Sequence, residues 1–509
     1  MHKSKLWFYS VLAILLLVLM NDLPINASAA NSTYSKYVNT ARGYQLNYPS
    51  NMEVDDSIEQ VRTLIHDEQT QIEIYYDNFY NTVHDANKYI NYSNNFIDNK
   101  KDHFIEYNKN TKVAGKKVHI LKWHRNKLAK VENDKNYYFS AEIIKNKNEI
   151  FTIFIKSAQP IYNEIDIVRS FKILKPAGNV AAMPSPLFKQ TVPDSKQLSE
   201  ETKAVLQQYF SNDSSLTWGI FEPSAPGSMT RLNQMEERVN HEFSFLIRYS
   251  DLDEQVPLQE FENAYNEGKI LELTLQTSHS KIDDSSIFYD ILNGKYDEYL
   301  HQYAKNIKQF GHPVLFRLNN EMNGDWCVYS SYYFSKDTDL YKEVWKYIYR
   351  IFEGEEIDNV LWVWNPNHDS MPGFAWNHPV LYYPGDEYVD IVGLTAYNTG
   401  TYYPGEKWNN FYTLYHSLYN EYAALSAKPL MITEFGSNSV GGDKVQWIQN
   451  MFSHIETFPR IKVAIWWSGT DWDSNGNPAR IYRMDESEAV LDAFRLNLQK
   501  YNNSSVVGF

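Results

Sequence analysis

The stretch VLFRLNNEMNGDW, residues 314–326, begins as a buried strand and ends on polar and aromatic residues. Val314, Leu315, Phe316 and Leu318 enclose Arg317, and Asn319, Asn320, Glu321, Asn323 and Trp326 follow at once. A guanidinium inside an apolar strand is tolerable only beside a carboxylate or other acceptors. The glutamate at the strand's C-terminal end therefore points to a fold in which strand ends carry the chemistry.

Seven further segments share this apolar character. They are LTWGIFE (216–222), FSFLIRYS (243–250), ILELTLQTS (270–278), VLWVWNP (360–366), VDIVGLTAYN (389–398), LMITEFG (430–436) and KVAIWWSG (462–469). Helical patterns fall between most of them, as in LYKEVWKYIYRIFEG, NFYTLYHSLYNEYAALS and KVQWIQNMFSHIE, and SEAVLDAFRLNLQKY closes the series. Near-continuous apolar strands separated by crossover helices are parallel strands buried on both faces. Eight of them predict a (β/α)8 barrel, with its site at the C-terminal ends of the strands. A doubly wound open sheet is the alternative, but no glycine-rich phosphate loop follows the first strand.

On such a barrel Glu321 ends strand four and Glu434, in KPLMITEFGS, ends strand seven. If strand four stays regular, Arg317, Asn319 and Glu321 share one side. Two facing carboxyl groups suit glycoside hydrolysis, one protonated as general acid and the other ionised as nucleophile or base. Arg317 would keep Glu434 ionised, and a less polar setting with repulsion from its partner would keep Glu321 protonated. The plainer reading makes Arg317 and Glu434 a barrel-lining ion pair and Glu321 a solvated loop residue. The strand-end position of both glutamates favours the catalytic one.

RLNNEMNGDW together with KPLMITEFGS resembles glycoside hydrolase family 26, in the clan of barrel glycosidases that includes many β-mannanases. LWVWNPN (361–367) and DIVGLTAYN (390–398) resemble that family's fifth and sixth strands, and the likeness covers roughly residues 200–500. The resemblance implies a retaining double displacement with Glu321 as acid/base and Glu434 as nucleophile. It implies that Tyr397 hydrogen-bonds the nucleophile, that Trp326 lines the site beside the acid/base, and that Trp467 is a platform under the sugar being cleaved. It also implies that His279, in TSHS, contacts a sugar hydroxyl. Family 26 mannanases usually carry histidine just before the acid/base; here that residue is Asn320, the arrangement of the wider clan, where it bonds the sugar 2-hydroxyl. The expectation is a β-glycanase acting on mannan, mixed-linkage glucan, xylan or a bacterial exopolysaccharide, with no cofactor and no metal. The competing class is a non-catalytic carbohydrate-binding or wall-associated protein on the same barrel.

The composition fits. The 509 residues include 39 Tyr and 13 Trp, an aromatic excess that suits either sugar stacking or core packing. A net charge of −15 argues against nucleic acid as a partner. Cys327 is the only cysteine, so no intramolecular disulfide forms, and it reads as a small buried hydrophobe. DWDSNGNPAR, 471–480, has the look of a calcium loop but lacks the glutamate at its twelfth place and reads as a plain loop.

Residues 1–29 have a signal-peptide layout, with Lys3 and Lys5 before an apolar run and Ala27-Ser28-Ala29 at its end. Cleavage and retention as an anchor both stay open. Export without disulfides points to a Gram-positive bacterial exoprotein, secreted or held at the cell surface, and a monomer is expected. Residues 31–174 alternate apolar and polar, as strands with one wet face do, and predict a small α+β domain with an antiparallel sheet and helices near 84–99 and 161–171. Its GYQLNYP opening resembles domains related to the photosystem PsbP protein. Residues 99–135 carry eleven Lys/Arg against four Asp/Glu, a solvated face or a contact for an anionic wall polymer or exopolysaccharide. Residues 175–199, with little periodicity, predict a linker, and 200–501 the barrel domain.

Overall fold

The computed structural model describes residues 33–190, 196–282 and 284–502, so the expected signal peptide lies outside the described residues. The N-terminal domain opens with β1 (Tyr34–Asn39) and β2 (Tyr44–Pro49), then β3 (Glu53–Asp55), β4 (Thr63–His66) and β5 (Thr70–Asn78). After α1 (Ala86–Ser93) come β6 (Phe104–Val113), β7 (Lys116–His124), β8 (Tyr137–Asn146) and β9 (Glu149–Ser157). Helix α2 (Glu164–Ser170) and β10 (Lys172–Ile173) close it. Seven strands form one antiparallel sheet in the order β3-β4-β5-β9-β8-β7-β6, and β1, β2 and β10 form a second, smaller one.

The expectation of one wet face fails for this sheet. One face, with Ile72, Ile120, Phe139, Phe151 and Ile153, packs under α2 and the small sheet. The opposite face carries the polar alternates, and it is covered by the barrel domain. Glu73, Lys156, Ser140 and Glu142 are all buried there. Alternation marks two different environments, and here the second one is a domain interface that mixes buried charges with the rings of Trp123, Tyr138 and Phe154.

Leu187 and Phe188, within the segment expected as a linker, are strapped to the barrel. The N–H groups of Leu187 and Phe188 donate to the Leu425 carbonyl at 2.8 and 2.7 Å, and the buried Phe188 ring stacks on Tyr383. Helix α3 (Glu200–Phe210) then plugs the barrel from below, with Val205, Tyr209 and Phe210 against Phe245, Leu315, Met431 and Val463.

Eight parallel strands close the barrel: β11 (Thr217–Phe221), β12 (Phe245–Ser250), β13 (Ile270–Leu275), β14 (Val314–Leu318), β15 (Val360–Trp364), β16 (Ile391–Asn398), β17 (Leu430–Ser437) and β18 (Ile461–Trp467). Strand β11 pairs with β18, which completes the ring. Around it lie α4 (Thr230–Val239), α5 (Leu258–Asn266), α6 (Ile287–Leu292), α7 (Asp297–Phe310), α8 (Thr338–Gly354), α9 (Phe411–Leu425), α10 (Lys444–His454) and α11 (Glu488–Leu498). The β15–β16 crossover holds only 3-10 turns, and residues 471–480 lie in a hairpin, β19 (Thr470–Trp472) with β20 (Pro478–Ile481).

The β15–β16 crossover reaches the N-terminal domain. Phe374 packs on Tyr89 with ring centroids 4.7 Å apart, and Trp376 Nε1 donates to Ser93 at 3.0 Å. Trp123, Tyr138 and Phe154 belong to the same apolar core as Phe288, Phe334 and Trp376, so no solvent layer separates the domains. Thermal unfolding is therefore expected as a single transition for both domains. Trp376→Ala should lower it as one, at a cost of about 3–5 kcal/mol. Two resolved calorimetric transitions in the parent protein would contradict this.

Candidate active site

The site is built where β14 stops behaving as a strand. The ladder ends at Leu318, and Asn319 and Glu321 both adopt left-handed conformations, with φ of 50° and 55°. Regular alternation would have set Asn319 and Glu321 on one side. The kinked chain instead turns Asn320 and Glu321 to the barrel mouth, while the Asn319 side chain accepts from Thr277 N at 2.7 Å. Such conformations cost on the order of 1–3 kcal/mol each and persist only where the surroundings fix them.

A second irregularity aims Glu434. Thr395 of β16 pairs with Glu434 while its neighbour Leu394 pairs with Ile432, so Thr433 is an extra residue in β17. This bulge lets two consecutive side chains face inward. Thr433 Oγ1 lies 3.0 Å from Thr395 Oγ1, and Glu434 enters the cleft. Gly393 makes room for the bulge, since a Cβ there would sit 2.4 Å from Thr433 Cγ2.

Four donors surround the Glu434 carboxylate. Arg317 Nη1 at 3.0 Å and Asn320 Nδ2 at 3.2 Å donate to Oε1. Tyr397 OH at 3.1 Å and Tyr249 OH donate to Oε2. A carboxyl oxygen surrounded in this way accepts best when ionised. Arg317 is fully buried; its Nε donates to Thr274 at 2.8 Å, its Nη1 also donates to Asn365 at 3.0 Å, and Glu272 Oε1 lies 2.8 Å from Nε. Burial pushes the Glu272 carboxyl up to about 8, against the pull of Arg317 and with help from the Glu434 charge.

Glu321 sits in the opposite electrostatic setting. Burial first, and the Glu434 charge second, push its carboxyl up to about 8, with Arg317 opposing. Its hydrogen-bond donor is Trp326 Nε1, 3.3 Å from Oε2. Asn320 is fixed by acceptance at Oδ1 from Gln276 at 3.0 Å and Tyr329 at 3.2 Å. Trp467 lies half-buried at the end of β18, stacked on Phe221 (centroids 5.1 Å, planes 15° apart) and edge-on to Tyr397. Arg317, Asn320, Glu321, Trp326, Tyr397, Glu434 and Trp467 thus meet at one mouth.

His279 does not join them as expected. Its Nδ1 is engaged by Asp253 at 2.7 Å and its Nε2 by Tyr296 at 2.9 Å, so neither ring nitrogen is left for a sugar hydroxyl. Three participants escaped the sequence reading. Tyr249 lies two and four residues beyond the inward-facing Ile247 and Phe245, which was a usable signal. Glu272 stood out as a charge within ILELTL. Gln276 carried no comparable mark. Cys327 is buried near the site, and burial holds its thiol above the usual range.

The raised Glu272 carboxyl has a consequence for stability. Between its ordinary value of 4.5 and about 8 the folded chain keeps a proton that the unfolded chain has lost, so stability falls as pH rises through that window. Glu272→Gln should remove up to about 1.4 kcal/mol of slope per pH unit. Urea unfolding at pH 5, 6.5 and 8 measures it, and an unchanged slope would count against a proton on Glu272.

Endoglucanase H of Acetivibrio thermocellus is 33% identical over 221 residues, covering 42% of this chain and 24% of its own. A mannan endo-1,4-beta-mannosidase of Bacillus subtilis strain 168 is 30% identical over 198 residues, 37% of this chain and 48% of its own. The chain therefore spans less than half the length of either relative. The solved structure of Bacillus subtilis mannanase BCman aligns over 58% of this chain and 92% of its own, at 20% identity and a TM-score of 0.42. The family model of glycosyl hydrolase family 26 matches residues 267–457, a span that holds Glu272, Arg317, Glu321, Tyr397 and Glu434. Residues 267–457 of the barrel domain are thus similar to glycosyl hydrolase family 26.

Proposed function

We propose that the protein is a secreted, retaining endo-β-glycanase that hydrolyses a neutral β-linked polysaccharide. The observation that carries this reading is the contrast between two carboxyl groups at one barrel mouth. Glu434 accepts from four donors, one of them a guanidinium, whereas Glu321 is pushed up to about 8. That division is the acid and nucleophile pairing of glycoside hydrolysis.

In the first step Glu434 attacks the anomeric carbon and the glycosidic C–O bond breaks. Glu321 gives its proton to the departing oxygen. A covalent sugar–Glu434 ester results, with the configuration at carbon inverted. In the second step Glu321, now ionised, takes a proton from water as that water attacks the same carbon. Glu434 leaves, the configuration is restored, and Glu321 is protonated again. Tyr249, Tyr397 and Arg317 would release and recover the Glu434 charge without moving, which is preorganised electrostatic stabilisation. Trp467 would stack beneath the sugar, and the second N–H of Asn320 would reach its 2-hydroxyl.

Neutrality of the substrate is inferred from the charges. Arg317 is committed to Glu272 and Glu434, and Arg480 to Glu406 and Asp471 at the β19–β20 hairpin. A polymer of uronic acids would meet carboxylates there. Relatives described as a mannan endo-1,4-beta-mannosidase and an endoglucanase support mannan and β-glucan as the first polymers to try. Secretion is proposed on the signal-like layout of residues 1–29. Contact with a wall polymer or exopolysaccharide would rest on the exposed Lys109, Lys112 and Lys117, because Lys122 and Arg125 are paired with Glu164 and Asp134.

Reducing-sugar release from mannan, mixed-linkage glucan and xylan tests the reading. Glu434→Ala and Glu321→Ala should each reduce it by at least about a thousandfold with the fold intact. Full activity in either variant would remove the assignment. The free enzyme's kcat/KM should fall as pH rises through about 8, where Glu321 loses its proton. An alkaline limb near pH 5 would contradict the acid role of Glu321.

A further inference from the structure

We propose that the N-terminal domain is a positioning element for the acid/base, acting through the loop that joins β14 to α8. This rests on the assignment of Glu321 as general acid. The loop covers residues 319–337, and the N-terminal domain grips it near Asp325 and at Ser335–Asp337.

At its first end the indole of Trp326, donor to Glu321, folds back over Gly324. A Cβ on Gly324 would lie 2.4 Å from that ring, so only glycine lets the indole reach the carboxyl. Asp325, between them, is held from two sides. Its carbonyl accepts from Tyr333 OH at 2.6 Å, and its carboxylate accepts from Tyr92 OH of α1. The Tyr92 ring also packs on Tyr332, with centroids 5.0 Å apart. A helix of the other domain therefore stands two contacts from the acid/base.

The far end is strained, and the N-terminal domain fixes that strain. Ser335 and Lys336 are consecutive non-glycine residues in left-handed conformations, with φ of 60° and 57°. Ser335 accepts from Trp123 Nε1 at 3.0 Å. Lys336 is buried, and its Nζ donates to Asn94 at 2.8 Å, Glu142 at 3.0 Å and Ser140 at 3.2 Å, all in the N-terminal domain. Asp337, which caps α8, accepts from Lys156 at 2.8 Å and Tyr138 at 3.0 Å. Conformations of this cost need fixed surroundings. For Ser335 and Lys336 those surroundings are β7, β8 and α1.

A general acid matters most when the leaving group is a poor one, such as a sugar hydroxyl, and least for dinitrophenolate. That difference separates positioning from mere stability. Tyr92→Phe keeps the ring and removes only the hydrogen bond to Asp325. In the full chain it should lose about tenfold or more in kcat/KM on β-mannan or mixed-linkage β-glucan. On 2,4-dinitrophenyl β-mannobioside or β-cellobioside its kcat/KM, which reports only the bond-breaking first step, should stay within about twofold. Lys336→Met should behave likewise or more severely. Amide hydrogen exchange across 321–337 should rise in both variants while the barrel strands stay protected, a readout independent of turnover.

Equal losses on both substrate types, or unchanged exchange in the loop, would overturn the proposal. The parent assignment is checked separately. Glu434→Ala should silence both substrate types and Glu321→Ala the polysaccharide far more than the aryl glycoside. Failure of that pattern would remove the acid role of Glu321 itself, whatever Tyr92→Phe does.

Discussion

The molecule is organised around one buried cation. Arg317 lies inside the barrel between Glu272 and Glu434, beyond the reach of water. Removing three ionised groups from water would cost more than their attraction returns unless their charges balanced. The raised Glu272 carboxyl resolves this, because below about 8 it is neutral and leaves one guanidinium facing one carboxylate. Glu434 Oε1 accepts from Arg317 at 3.0 Å, and its charge adds to burial in raising the Glu321 carboxyl. The division of labour at the mouth thus descends from a charge count inside the barrel.

Much of this was legible in the sequence, for a definite reason. Strands buried on both faces must be apolar throughout, so the eight segments announced themselves, and Arg317 was conspicuous because it broke the rule. Their observed bounds lie within a few residues of the expected ones. The ways in which Glu321 and Glu434 are aimed were not legible. One depends on two left-handed residues, Asn319 and Glu321, and the other on an extra residue at Thr433. Both departures are permitted by distant neighbours, Thr277 for the first and Gly393 for the second, and no local pattern encodes them. His279 shows the converse error: its position after β13 suited a ligand contact, but Asp253 and Tyr296 consume its ring.

The N-terminal domain was read correctly as a sheet and incorrectly as a surface. Its strands alternate, and the apolar half faces α2. The polar half was assigned to water because an exposed face and a satisfied polar interface look alike in one sequence. Lys156 between Glu73 and Asp337, and Lys336 between Glu142 and Asn94, are charges that burial makes costly and partners make acceptable. Each partner lies far away along the chain, so only the folded chain brings it near.

The two carboxyl groups proposed as catalytic consequently have separate supports. Glu434 is set by the barrel interior, through Arg317, Tyr249 and Tyr397, all on strands that closure of the sheet fixes. Glu321 lies on a loop, and loops on barrel faces are the parts most free to vary. A loop can be made rigid by shortening it, by internal packing or by an outside surface. Here internal packing is joined by an outside surface, since Tyr92, Trp123, Glu142 and Lys156 reach the loop from a different domain. On the proposed mechanism, the leaving-group side of the cleft can be altered by changes in the N-terminal domain, while the proposed nucleophile and its cation stay as the barrel core requires. The added domain is in this sense a wall of the candidate site.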